Sequence, residues 1–149
     1  ISRNSDGTVL ETGCVYIVEV EERLSLPADI AAATNPKSST GRLDVFTRVI
    51  GDRVAAFDTI PVGYKGTLYL EISPRTFPIL VRRGSRLSQV RFRRGEAKLD
   101  MKELAALQAR EKLVDAAEPD LRGGGVAVSV DLSDFGNGYA GFRAKRHTG

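Results

Sequence analysis

The sequence contains little of what a disulfide scaffold, a zinc site or a membrane span requires. Of its 149 residues one is cysteine (Cys14), one is histidine and none is tryptophan. A single cysteine excludes an intrachain disulfide, and one Cys with one His is too few for the usual zinc sites. No apolar run approaches the roughly 20 residues of a membrane-spanning helix. We therefore expect a cytoplasmic chain without a transmembrane segment and without zinc.

A strong excess of one charge is also missing. The 22 Lys and Arg residues face 19 Asp and Glu residues, which gives a net charge of +3. Dedicated nucleic-acid binders are usually more basic, and few aromatic side chains interleave the arginines of residues 82–94 to stack on bases. We expect no nucleic-acid partner, while a small polyanionic ligand fits this balance.

The composition is that of a globular protein, with 42% hydrophobic and 28% charged residues. The chain begins at Ile1 and shows no charged segment followed by an apolar one, so we expect no signal peptide. We expect it to be a piece of a longer protein.

Short strand patterns separated by Gly and Pro dominate the first two thirds of the chain. They predict a mainly β fold, a barrel or a sandwich of the jelly-roll kind. Ala31-Ala32-Ala33 favours a short helical turn that ends at Asn35-Pro36, and Gly51-Asp52 favours a hairpin turn. The predicted strands are residues 14–20, 43–50, 53–57, 67–72, 77–81 and 87–92.

The pattern changes at Asp100, which forms a capping-box pattern with Glu103. This pattern predicts a surface helix over residues 101–114, followed by a glycine loop at 123–125 and a strand over 126–132. We therefore predict a β domain over residues 1–98, a linker helix segment over 99–118 and the start of a second, incomplete β repeat over 119–149.

Three segments carry residues suited to nucleotide chemistry. Residues 35–42 (NPKSSTGR) combine hydroxyl groups with Lys37 and Arg42, which suits phosphate oxygens, although a polar turn satisfying its own backbone explains them equally well. Glu71 ends the apolar part of a strand and is either a partly desolvated general base or an ordinary solvent-facing residue. In residues 84–92, alternation points Gln89 toward apolar neighbours, where it meets a nucleotide or a buried hydrogen-bond partner.

Together these segments resemble the nucleotide motifs of the dUTPase/dCTP deaminase superfamily. The matching stretches are Pro36-Lys37-Ser38-Ser39-Thr40-Gly41-Arg42, Gly63-Tyr64-Lys65-Gly66 and Arg86-Leu87-Ser88-Gln89. The surrounding residues look like the bacterial two-repeat variety of dCTP deaminase, and residues 139–148 resemble the beginning of its second β unit. The resemblance implies a dUTPase-like distorted β-barrel or jelly-roll.

The resemblance also implies an activity, because the superfamily members differ in the carboxylate they carry. The dUTP hydrolases place an Asp where Pro61 stands, which disfavours dUTP cleavage, whereas the deaminases place a Glu where Glu71 stands. The implied reaction is hydrolytic deamination of dCTP, with Glu71 as general base. The alternatives are a dUTP pyrophosphatase or bifunctional relative, and a nucleotide-binding regulator without catalysis.

By the same resemblance, Ser38 would position the water or the base. The predicted substrate-binding residues are Lys37, Ser39, Arg42, Gln89 and Tyr64. Magnesium would be held mainly by the triphosphate and water, and the assembly would be a trimer. One departure is that the deaminases usually carry an Arg and an Asp-Pro where residues 59–62 stand here. We expect the second β unit or a neighbouring subunit to supply the missing groups.

Overall fold

The computed structural model describes residues 6–96, 98–134 and 136–143, which form a mainly β fold with antiparallel sheets, as predicted. This part of the chain divides into two compact units, residues 6–95 and residues 96–143. Within it, no helix is long and apolar enough to cross a membrane. The elements of the first unit are β1 (Thr8–Leu10), β2 (Tyr16–Ser25), β3 (Ile30–Pro36), α1 (Ser38–Arg42), β4 (Val45–Gly51), β5 (Thr59–Ile60), β6 (Lys65–Pro74), β7 (Ile79–Val81) and β8 (Ser88–Arg94).

The central sheet of the first unit has the strand order β2-β6-β4, and all its pairs are antiparallel. Side chains alternate between its two faces. On the inner face Leu70 and Val49 pack into the hydrophobic core, with Val18 against them. The other face, which we call the outer face, carries Glu71 on the middle strand, with Ile17 and Arg48 directly opposite it on the two neighbours.

The second three-stranded sheet has the order β5-β3-β8. Its middle strand contains Ala31-Ala32-Ala33, so the helical turn predicted there is wrong. Alanine favours a helix by only about 1 kcal/mol or less per residue, and ladder partners on both sides outweigh that preference. The small side chain of Ala32 is 1% exposed and belongs to the hydrophobic core.

The hairpin predicted around Gly51-Asp52 is also wrong in its second half. The strand β4 pairs with β6, and residues 53–57 form a loop rather than a strand. Asp58 holds the end of this loop, because its Oδ1 accepts hydrogen bonds of 2.8 Å from both the Val49 N–H and the Thr34 hydroxyl. Arg53 and Asp58 adopt positive φ angles, which end the extended backbone on either side.

The second unit contains α2 (Met101–Glu111) and a small hairpin of β9 (Leu121–Arg122) and β10 (Gly125–Val126). The predicted capping box is present, since Asp100 accepts from the Glu103 N–H at 2.7 Å and Glu103 accepts from the Asp100 N–H at 2.9 Å. The helix ends before the predicted residue 114 because Lys112 is left-handed.

The strand predicted over residues 126–132 is confined to its first residue, and the predicted glycine loop is the turn of the β9–β10 hairpin. Alternating Val128 and Val130 are more than four-fifths exposed, and no partner strand is present among the described residues to order them. Residues 135 and 144–149 of the predicted second repeat lie outside the described residues. The predicted domain boundaries stay a prediction.

Candidate active site

Glu71 is a buried carboxylate on the outer face of the central sheet. It is 9% exposed, although the apolar core lies on the opposite face. This burial shows that Glu71 is not the ordinary solvent-facing strand residue that the pattern also allowed. A buried charge needs a partner of opposite charge with good hydrogen-bond geometry.

Arg48 on β4 is that partner. Its Nη2 donates to Oε1 at 2.8 Å and to Oε2 at 3.0 Å, and its Nε donates to Oε1 at 3.1 Å. Because Oε1 accepts two hydrogen bonds and Oε2 only one from Arg48, Oε2 keeps more lone-pair capacity for a further donor. Arg48 was not selected from the sequence. The one signal there was that a charged residue stands between the apolar positions of a predicted strand.

Two aromatic rings surround the Arg48 guanidinium. The ring centroid of Phe57 lies 3.7 Å from Cζ, and that of Phe46 lies 5.2 Å from it. Both distances fall within the range of cation–π attraction. Phe57 comes from the loop that Asp58 anchors, so this loop positions a ring over the partner of Glu71.

The predicted phosphate loop forms the short helix α1, with Lys37 at its N-cap. The Leu87 carbonyl fixes it by accepting hydrogen bonds from the Lys37 N–H at 3.0 Å and the Thr40 hydroxyl at 2.8 Å. Thr40 is buried, whereas Ser38, Ser39 and Arg42 are exposed. The polar groups predicted to meet phosphate are therefore presented to solvent on an anchored turn.

A shallow depression links α1 to the outer face of the central sheet. It is lined by Pro36, Gly41, Asp44, Val45, Phe46 and Arg75. Phe46 lines this depression and also lies near the Arg48 guanidinium, so the depression extends from α1 toward the partner of Glu71. Arg75 adds a cation that sequence analysis did not select, because it follows β6 outside every motif.

Gln89 differs from its prediction. It is exposed, so the expectation that it points among apolar neighbours is wrong. It lies opposite Asn35 on the neighbouring strand, one residue from the Ser88–Pro36 pair. Residues 89–94 of β8 are exposed on both faces of the strand, so alternation alone does not give Gln89 apolar neighbours.

Tyr64, which was predicted to bind substrate, is buried. Its ring belongs to the hydrophobic core, and its hydroxyl donates to the Thr67 carbonyl at 2.5 Å and accepts from the Asp52 N–H at 2.8 Å. A Cβ added to Gly66 would approach this hydroxyl to 3.0 Å. Packing and these two hydrogen bonds fix the position of Tyr64, and its role in substrate binding stays a prediction.

Metal binding by the protein alone has no visible site here. In the described ranges, no group of three or more His, Cys, Asp or Glu side chains is placed to hold an ion. Magnesium held by the substrate's own phosphates and by water stays a prediction, and we assign it no protein ligand.

Comparison with known proteins agrees with this arrangement. The family model for the 2'-deoxycytidine 5'-triphosphate deaminase (DCD) N-terminal domain matches residues 2–96, and the model for its C-terminal domain matches residues 100–149. A curated relative, the dCTP deaminase of Sulfurisphaera tokodaii, is 32% identical over 78 residues, which cover 52% of this chain and 38% of the relative.

A solved structure is also similar. It is the crystal structure of 2'-deoxycytidine 5'-triphosphate deaminase from Agrobacterium tumefaciens, with 61% identity and a TM-score of 0.70. The match covers 89% of this chain and 38% of that chain, so the present chain spans well under half the length of these relatives. The likeness confirms the dUTPase-like β fold. The chain belongs to the 2'-deoxycytidine 5'-triphosphate deaminase family.

Proposed function

We propose that the protein containing this chain catalyses the hydrolytic deamination of dCTP to dUTP and ammonia. The observation that carries the proposal is the buried Glu71 carboxylate, held by Arg48 at the position where the family resemblance places the general base. The two relatives named above are called dCTP deaminases.

In the proposed mechanism, Glu71 accepts a proton from water, preferably at Oε2, where Arg48 leaves more hydrogen-bonding capacity. The water oxygen attacks C4 of the cytosine ring. Glu71 delivers this proton to N3. It then takes the proton of the C4 hydroxyl in the tetrahedral intermediate and delivers it to the amino group, so that the C4–N bond breaks, the C4 carbonyl forms and ammonia leaves. Water supplies the oxygen of the uracil product, so atoms balance without a redox step.

We propose that α1 meets the triphosphate. Lys37 and Arg42 would supply positive charge, the exposed Ser39 hydroxyl would donate to phosphate oxygens, and Ser38 would orient the water or the base. Gln89 is exposed beside the end of β3 and is accessible to a phosphate or sugar group. Magnesium would accompany the phosphates.

The assembly and location are part of the proposal. A trimer is the expected assembly of the whole protein, since superfamily members form their sites between subunits. A reducing cytoplasm suits the single, exposed thiol of Cys14.

The test is a product assay on the full-length protein with magnesium and either dCTP or dUTP, in which ammonia and diphosphate are measured separately. Glu71→Gln should abolish ammonia release from dCTP. Glu22→Gln is the matched control, because Glu22 is an exposed glutamate on the same sheet. Diphosphate from dUTP without ammonia would establish the pyrophosphatase instead. Nucleotide binding without either product in the wild type would establish a regulator.

A further inference from the structure

The loop between β4 and β5 forms a clamp around Arg48. Asp58 fixes its end through the two side-chain hydrogen bonds described above and through its own N–H, which donates to the Val49 carbonyl at 2.9 Å. This anchoring places Phe57 3.7 Å from the guanidinium carbon. The loop therefore has a defined geometry at the point where it covers the ion pair.

The contacts of Arg48 use different parts of the guanidinium group. Hydrogen bonds to Glu71 lie along its edge, whereas Phe57 is close enough to contact its π face. Because the two directions are independent, Arg48 satisfies both contacts at once. A guanidinium fixed in this way restricts the Glu71 carboxylate to one orientation.

A role in core stability does not account for this pair. The hydrophobic core lies on the inner face of the sheet, and the Arg48 side chain on the outer face keeps 35% of its surface exposed. Compared with apolar residues of similar volume, such an ion pair adds little net stability, because the desolvation cost offsets the attraction. Its strict geometry is of more use to a group that must face a reacting water.

We propose that Arg48, clamped by Phe57, is the positioning residue of Glu71. It fixes Oε1 with two hydrogen bonds and turns Oε2 toward the water. The inference rests on the deaminase function proposed above. In this proposal the guanidinium that assists the base comes from β4 of the same chain. The expectation that the second β unit or a neighbouring subunit supplies the groups missing at residues 59–62 stays a prediction.

The test compares kcat and KM for dCTP in the full-length protein and in Arg48→Lys, Phe57→Leu and the double variant. Lysine keeps the charge but cannot donate from two nitrogens in a planar fork. We expect Arg48→Lys to lower kcat by about 10²-fold with little change in KM, as misplacement of a reacting group does. Phe57→Leu should lower kcat less, and the double variant should match Arg48→Lys because both changes affect the same geometry.

Two controls separate positioning from loss of folding. Phe92→Leu alters an exposed phenylalanine on β8 that has no cation partner among the described residues, and it should keep the wild-type kcat. In Arg48→Ala, added guanidinium ion at millimolar concentration should restore part of kcat, whereas ammonium ion should not. A merely structural ion pair would not produce this selectivity.

Several results would overturn the inference. They are a wild-type kcat in Arg48→Lys, an effect on KM alone, additive effects of the two changes, or no guanidinium rescue. If the wild type makes ammonia and Arg48→Lys keeps its kcat, only the role of Arg48 fails. If the wild type makes no ammonia from dCTP, the proposed function fails and the positioning role fails with it.

Discussion

Thr40 and Leu87 are joined by a hydrogen bond of 2.8 Å from a buried hydroxyl to a backbone carbonyl 47 residues along the chain. The same carbonyl accepts from the Lys37 N–H. One backbone oxygen before β8 therefore fixes both the start and the middle of α1, and the groups proposed to bind phosphate depend on it.

Thr40→Val should loosen this anchor while keeping the side-chain volume. Loss of one partly buried hydrogen bond costs about 1 kcal/mol, and the Leu87 carbonyl keeps its bond from Lys37. We expect KM for dCTP to rise several-fold with kcat nearly unchanged, measured by ammonia release from the full-length protein. A large fall in kcat with KM unchanged would show that Thr40 acts on the chemistry instead.

Arg42→Met should weaken substrate binding by removing a charge while keeping much of the side-chain length. A hydrogen bond to a charged group contributes about 1.5–3 kcal/mol, so we expect KM for dCTP to rise by about 10-fold or more. The dependence of KM on salt should also become shallower. Arg91→Met on β8 is the control, because Arg91 is also an exposed arginine but lies far from α1 in the sequence. Equal effects of the two changes would mean that only overall charge matters.

Ser73→Ala should stabilise the protein or leave its stability unchanged. The Ser73 hydroxyl is fully buried on β6 and has no hydrogen-bond partner among the described residues. Removing an unsatisfied polar group recovers about 1 kcal/mol or more of desolvation cost. Ser88→Ala is the contrasting change, because the Ser88 hydroxyl lies 3.0 Å from that of Thr47 and its loss should destabilise. Denaturant unfolding of the full-length protein measures both, and a loss of stability in Ser73→Ala would reveal a partner elsewhere in the protein.

Asp134 should give a local pH response. Hydrogen bonds from the N–H of Gly138, and then from those of Gly136 and Asn137, hold the pKa of this exposed carboxyl below its usual value. Because the pKa of Asp134 is lower in the folded state, the ionised carboxylate stabilises this turn fully above its unfolded-state pKa of about 3.9. This stabilisation is lost as the pH falls through the folded-state pKa.

The Gly138 amide resonance in NMR spectra should report this titration, and its midpoint should lie below about 3.9, the ordinary pKa of an Asp side chain. In Asp134→Asn the titration should disappear while the turn keeps a side-chain acceptor. A midpoint at or above the ordinary value would contradict the hydrogen-bond arrangement.

Local signals were sufficient for part of the fold. The capping box of α2 depends on two residues three positions apart, and the strand that carries Glu71 depends on its own alternation. Both were predicted because neighbouring residues in the chain determine them.

The remaining features depend on which strands meet. The alanines of β3 form a strand because β5 and β8 flank them, and Arg48 reaches Glu71 because β4 pairs with β6. Neither pairing follows from local pattern, and the predicted hairpin assigned β4 a different partner. Lys37, Ser38 and Ser39 were selected through the resemblance, which carries information that one sequence's periodicity does not.

Side chains alternate between the two faces of the central sheet, so the same strand register both buries the core and brings Arg48 to Glu71. A slip of β4 by one residue against β6 would bring Thr47 or Val49 to the outer face and turn the Arg48 guanidinium into the apolar core. The burial cost of that charge strongly disfavours such a misregistered state. Arg48 thus also favours the correct register of β4 against β6. When the strands pair in this register, Arg48 and Glu71 are placed opposite each other.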